Sequence, residues 1–307
     1  MPALQTLNAF DIQAADVTVW AIKRSGGLGG ALPVYTARWI EIDANLAAAI
    51  RGAVQAARDG IAEVKQYGLL AHDNDGASAL SIPADETNAP LVRDACADPT
   101  PQRKIKSLKE ITNSAFYAIK LVVGPNAILA VRKTNASWSS RVSAGLMTAI
   151  FQDSILTLDD RPRFSLSNSI DFFAVDDEVL VLDKANFESV LSYREAHIED
   201  FALLQQEPEF VKAFSAIEPL VGFVGTNKLQ LRRASAIKAK GYYRDANFLD
   251  RLRAQAARLH LNITFDAAGR IDPTPETCRD IMQALLDHRL ISTLTEAIYD
   301  VDDAQAV

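Results

Sequence analysis

An α+β fold in two lobes, mainly antiparallel sheets with flanking helices, is what this sequence predicts, and three observations lead there. Short β-branched-rich runs come in pairs joined by tight turns, as in 115–123 and 127–133 around Gly124, Pro125 and Asn126. Such short connections favour antiparallel pairing. Elsewhere apolar residues recur at helical spacing, the first series being Leu46, Ile50, Val54, Ala57 and Ile61. The length, 307 residues, exceeds the comfortable size of one core, so two lobes are expected, 1–102 and 103–307.

In chain order, 17–24 alternates like a strand, the glycine-rich stretch 25–30 is a turn, and 34–42 is a second strand, so an opening hairpin is expected. Asp43 can cap the next helix, which ends near Gly60. Residues 72–76 (HDNDG) have turn chemistry, and 84–101, with three prolines, reads as a linker that marks the lobe boundary. After the paired strands 115–123 and 127–133, residues 149–158 add further strand. Helices are then expected over 209–217, 228–240 (closed by Gly241), 247–260 and 275–286, with a small hairpin around the DAAG turn at 266–269.

The organising stretch is 164–195. Apolar runs at 170–175 and 179–182 flank the charged turn Asp176, Asp177 and Glu178, the pattern of a tight hairpin covered on both faces. Asp183 can cap a helix carrying Phe187, Val190, Leu191, Arg194, Ile198 and Phe201 at helical spacing. This stretch is expected to be scaffold supporting the C-terminal lobe, because no nucleophile and base are paired within it.

Composition excludes several classes. With 49% hydrophobic and 23% charged residues, the chain can bury a sizeable core. No apolar run approaches the roughly 18 residues of a membrane span, and MPALQTLNAFDIQAAD lacks the basic-then-apolar order of a signal peptide. A cytoplasmic protein is expected, reaching the inner membrane only through a partner. Cys96 and Cys278 lie far apart with no partners at metal spacing, so neither a disulfide framework nor a zinc site is expected.

Residues that invite chemistry fail on detail. The glycine-rich turn lacks a following Gly-Lys-Ser/Thr and leads into a strand, whereas a phosphate loop leads into a helix. Glu63, Val64 and Lys65 match a nuclease fragment, yet they sit at an expected helix end without an upstream acidic partner. His72, Asp73 and Asp75 miss calcium-loop spacing. His197, His260 and His288 have no identifiable nucleophile, and Cys278, near a helix start where a thiol pKa can fall, has no base. No catalytic residue, metal site or cofactor is assigned.

Charge is the strongest signal. The net charge of -7 hides segregation: 103–151 carries net +7, 152–227 net -10 and 228–258 net +7. Two basic blocks in an acidic chain describe a polarised surface able to hold a polyanion locally. The DNA-contact residues expected on this ground are Arg103, Lys104, Lys106 and Lys109 in the first block, and Lys228, Arg232, Arg233, Lys238, Lys240, Arg244, Arg251 and Arg258 in the second, with Tyr242 and Tyr243 between two helices. Arg251 and Arg258 would stand about 10 Å apart on one helix, suited to backbone phosphates. The competing accounts are internal pairing with the acidic block, which would leave a protein-interaction adaptor, and a metal-dependent nuclease whose acidic cluster the fold assembles.

Several features resemble the KwaB-like proteins of the Kiwa anti-phage defence system of bacteria: the hairpin and acidic turn leading to NFESVLSYRE, the basic KGYYRDANFLDRL, the LNITFDAAGRI hairpin and the closing LLDHRLISTLTEAIYDV. The resemblance spans roughly 115–301. It implies a soluble protein that binds DNA and works with a membrane-embedded KwaA-like partner to obstruct phage DNA replication and expression; together with the basic blocks and the lack of a catalytic constellation, the expected function is non-enzymatic binding of double-stranded DNA. It also implies a homodimer or larger homo-oligomer, and it transfers no catalytic residues.

Overall fold

The protein is described by a computed structural model covering residues 2–26, 32–70, 77–107, 110–111, 114–134, 139–140, 149–152, 154–158 and 163–301. Its contacts divide it into two compact units. The first comprises Met1–Gly26, Leu32–Gln66 and Asp73–Leu191; the second is Gly27–Ala31, Tyr67–His72 and Ser192–Val307.

An eight-stranded, mainly antiparallel sheet is the frame of the first unit. Its strands are β1 (Asp16–Gly26), β2 (Pro33–Ile40), β3 (Glu63–Gln66), β4 (Ser78–Pro83), β5 (Phe116–Val123), β6 (Asn126–Lys133), β11 (Phe172–Val175) and β12 (Glu178–Val181). The intervening β7 (Ser139–Ser140), β8 (Ala149–Gln152), β9 (Ile155–Leu158) and β10 (Arg163–Phe164) form two small separate ladders, β10–β7 and β8–β9. The sheet order is β2-β1-β5-β6-β11-β12-β4-β3, and only β3 and β4 run parallel.

This order corrects the expected lobe division. Strands before residue 102 pair with strands after it: β1 with β5, and β4 with β12. The stretch read as a linker is part of the unit, since Ala84, Ala89, Val92 and Cys96 are buried and Ala89–Ala95 is helical. Two of its prolines, Pro90 and Pro101, start short helices rather than free the chain, as proline does at a first helical position.

The hairpin at 170–182 forms as the sequence indicates. Val175 pairs with Glu178 across the Asp176–Asp177 turn, and Asp176 takes the left-handed conformation (φ 50°) that aspartate tolerates. Phe172, Phe173, Val175, Val179, Leu180 and Val181 are fully buried. One face, through Phe173, Val175 and Leu180, joins a core with Leu7, Val54 and Leu121 from the helices and strands of the same unit. On the other, Phe172 meets Phe187 edge-on at 5.3 Å. The hairpin is therefore central to the first unit, between β6 and β4, and not the support of a C-terminal lobe. The helix after it is interrupted: Asp183 caps Lys184–Val190, and Ser192 at φ 64° separates this from Tyr193–Leu204.

Beneath the hairpin lies a buried ionic knot. Asp171, with no exposed surface, accepts from the Lys133 N–H at 2.6 Å and from the Asn186 amide at 3.1 Å, and pairs with the Arg132 guanidinium. Burial pushes its carboxyl up, opposed by the Lys133 N–H, the Arg132 charge and the Asn186 amide.

Helices make up most of the second unit. Tyr193–Leu204 packs along Lys228–Lys240, with Glu218–Val224, Ala246–Gln255 and Cys278–Leu285 around them. Leu204, Phe210, Leu220, Leu231, Ile237, Tyr243, Ile281 and Leu285 share its core. Small hairpins β13 (Thr264–Phe265) with β14 (Ile271–Asp272), and β15 (Arg289–Ile291) with β16 (Ile298–Asp300), complete it. Of the helix expected over 209–217 only the part within Pro208–Lys212 forms, and a separate helix, Glu218–Val224, follows beyond that range; each has a proline in its first turn.

Candidate nucleic-acid interface

The helix Lys228–Lys240 has both sequence-legible ends. Asn227 accepts from the Leu229 and Gln230 N–H groups at 3.0 and 3.2 Å, and Gly241 closes it at φ 64°. A Cβ at Gly241 would lie 2.7 Å from an Arg244 nitrogen, so glycine serves both the turn and the return of Arg244 over it. Leu231, Ala234, Ser235 and Ile237 are buried, and Ser235 Oγ meets His197 Nδ1 at 2.9 Å.

That packing brings two cations of the second basic block against the acidic block. Lys238 pairs with Asp200 at 2.6 Å. Arg244 grips Glu207 with both Nε (2.6 Å) and a terminal nitrogen (3.2 Å), and its guanidinium lies 5.0 Å from the centre of the Tyr243 ring. Tyr243 also donates to Glu207 at 2.7 Å. Arg244 holds the Glu207 carboxyl below the usual carboxylate range, while burial and Glu207 push the Tyr243 phenol up. Lys240 donates to the Leu286 carbonyl at 2.9 Å, and Arg253 pairs with Asp250 at 2.5 Å.

The cations with no carboxylate against them fall into a smaller set. Lys228, Arg251 and Arg258 are exposed; Arg251 makes one hydrogen bond, to the Asn247 carbonyl, and no ion pair involves any of the three among the described residues. Arg232 and Arg233 are half-buried on the helix and engaged in contacts of their own. The expected helical spacing of Arg251 and Arg258 is corrected: the helix is Ala246–Gln255, and Arg258 sits in the following turn, where the chain reaches φ 51° at His260.

The first basic block behaves differently. Arg103 is half-buried, donates to the carbonyls of Ala37 and Ala95, and lies 4.6 Å from the centre of the Trp20 ring. Lys104 pairs with Glu41 and sits 5.3 Å from the Trp39 ring. Ile105 N–H bonds the Trp39 carbonyl at 2.9 Å, so this segment covers the β2 edge of the sheet. Lys106 is exposed, and Lys109 lies outside the described residues. The two basic blocks belong to different compact units.

The other chemical candidates resolve into structure. Lys65 lies in edge strand β3, not at a helix end, and pairs with Glu63 at 2.7 Å. Its single apolar residue gives EVKQ no strand pattern, which is why the sequence misplaced it. Burial raises the Cys96 thiol to about 12 and lifts that of Cys278, outweighing its place at a helix start. Residues 72–76 lie outside the described set, and among the described residues no group of three His, Cys, Asp or Glu is placed to hold a metal ion. No helix among the described residues is long and apolar enough to cross a membrane.

A family model described as Kiwa protein KwaB-like matches residues 111–295. No curated protein and no solved structure matches the chain.

Proposed function

Because this chain belongs to the Kiwa protein KwaB-like family, and so to a component of Kiwa anti-phage defence, we propose that it acts there by binding DNA through its second compact unit. One observation carries this reading: Lys228, Arg251 and Arg258 remain exposed and in no ion pair among the described residues, while Lys238, Arg244 and Arg253 are spent on internal pairs. Unpaired surface cations can exchange condensed counterions for phosphate, which binds any sequence and weakens steeply with salt. Arg232 and Arg233 lie on the same basic segment and would flank such a contact. The first block is assigned a lesser part, with Arg103 and Lys104 committed inside their unit and Lys106 the exposed member.

In this reading the protein obstructs phage DNA replication and expression beside a membrane-embedded KwaA-like partner, as a homodimer or larger homo-oligomer and without catalysis of its own. Fluorescence anisotropy on a mixed-sequence duplex, titrated across salt, tests it. Binding should weaken linearly on a log–log scale with a slope of about -3, one near-unit increment per engaged cation. Undetectable binding at low salt, with co-purification of a membrane protein, would replace it with the adaptor reading, and magnesium-dependent loss of intact DNA would replace it with a nuclease.

The pairs to the acidic block make a second prediction. Glu207 occupies the guanidinium fork of Arg244 as a phosphate would. Glu207→Gln keeps an acceptor for Tyr243 but removes the charge, and duplex affinity should rise about threefold, with a steeper salt dependence. Parallel titrations of wild type and variant check this; a fall in affinity would mean that Glu207 positions the site instead of competing with DNA.

A further inference from the structure

A cleft of 390 Å³ opens in the second unit, lined by Tyr242, Phe248, Leu252, Leu259 and Leu261, with Arg251, Gln255, Asp245, Asp287 and Arg289 also on its walls. Its size falls at the low end of small-ligand sites, roughly 300–1,000 Å³. Tyr242 and Phe248 are stacked, their centres 5.1 Å apart and planes 26° from parallel, and Tyr242 is 36% exposed. Lys240 Nζ lies 5.9 Å from the Tyr242 ring centre, which leaves this aromatic pair beside positive charge. The buried ring of this segment is that of its neighbour Tyr243, at 2% exposure.

The polar lining decides what can enter. Asp245 and Asp287 are exposed carboxylates in the wall, so a phosphate inside the cleft would meet two like charges. Arg289 is already committed, to Asp300 at 2.5 Å and to Gln283 at 3.0 Å. Gln255, exposed, offers both a donor and an acceptor. A flat, neutral, ring-shaped group with hydrogen-bonding edges suits this interior. Phosphates suit the outside, where Arg251 stands on the wall and Arg258 in the turn between lining residues Gln255 and Leu259.

We propose that this cleft takes an unpaired nucleobase of a DNA strand, stacked against the Tyr242–Phe248 pair, with the adjoining phosphates held by Arg251 and Arg258. The proposal rests on the DNA-binding reading and narrows it to strands with a frayed, nicked or single-stranded base. Stacking on aromatic side chains tolerates any base and is strong enough to set a preference for single strands over intact duplex.

The test compares a labelled single-stranded oligonucleotide with the blunt duplex of the same sequence, for wild type and for Tyr242→Leu and Phe248→Leu. Wild type should favour the single strand and quench a fluorescent purine analogue placed in it. Each leucine variant should bind the single strand about tenfold more weakly and lose the quenching, with duplex affinity unchanged. Phe248→Tyr, which keeps a ring, should retain single-strand binding and so separates stacking from folding. Unchanged single-strand affinity in both leucine variants, or equal losses on both substrates, would overturn the cleft proposal and leave duplex binding standing. Displacement of the single strand by an equimolar free deoxynucleoside monophosphate would overturn the assignment to a strand. Absence of binding to either DNA would overturn both readings together.

Discussion

Replacing Asp171 by alanine is expected to destabilise the first compact unit by about 3–5 kcal/mol, the cost of leaving a buried charge without its partner. The carboxylate holds the Arg132 guanidinium, the Lys133 N–H and the Asn186 amide at once, all beside the hairpin that fills the middle of the sheet. Removing it orphans an arginine whose side chain is only 21% exposed and a backbone donor next to it. Asp171→Asn keeps one acceptor oxygen but loses the charge and sets an NH2 against a donor, so it should cost about 1–3 kcal/mol. Urea denaturation of both variants orders these effects; equal stability of wild type and Asp171→Ala would show that the knot contributes nothing to the sheet.

Reversing Arg251 and Arg258 together to glutamate has the largest expected effect on binding. Both are exposed, neither is in an ion pair among the described residues, and both lie on the segment that follows Tyr242. Two charge reversals should lower duplex affinity by roughly tenfold or more for every sequence alike, because contacts to phosphate carry no base information. Stability should change little, as surface substitutions away from buried features do. The matching control is Lys104→Glu, whose ammonium already pairs with Glu41 and lies near Trp39; its effect on DNA should be small.

The sequence was most informative where structure is local. The 170–182 hairpin was legible because its turn and both apolar runs are contiguous, and the helix Lys228–Lys240 because Asn227 and Gly241 mark its ends. Family membership was legible from the same kind of continuous stretch. What failed was long-range. Nothing in the chain between β4 and β12 announces that Leu80 pairs with Val181, so the lobe boundary was drawn through one sheet. Residues 84–101 read as linker from their prolines, although Ala89, Val92 and Cys96 supply a buried face.

The site divides in the same way. Charge segregation located the basic block, but not which of its members were free, because Lys238 and Arg244 find their carboxylates 38 and 37 residues earlier in the chain. A helix pairing decides that, and it was invisible as spacing. Tyr242 attracted notice in the sequence only as an aromatic residue among cations. The cleft beside it needs Leu261, Ala284 and Asp287 from separate segments, so only the folded unit could reveal it.

Duplex affinity of wild type and the Arg251→Glu, Arg258→Glu double variant, measured side by side across a salt series, tests the central claim most directly. The account predicts weaker binding at every salt concentration and a log–log salt slope shallower by about 2. Identical affinity and slope in the two proteins would contradict it, and would remove these arginines from the DNA interface.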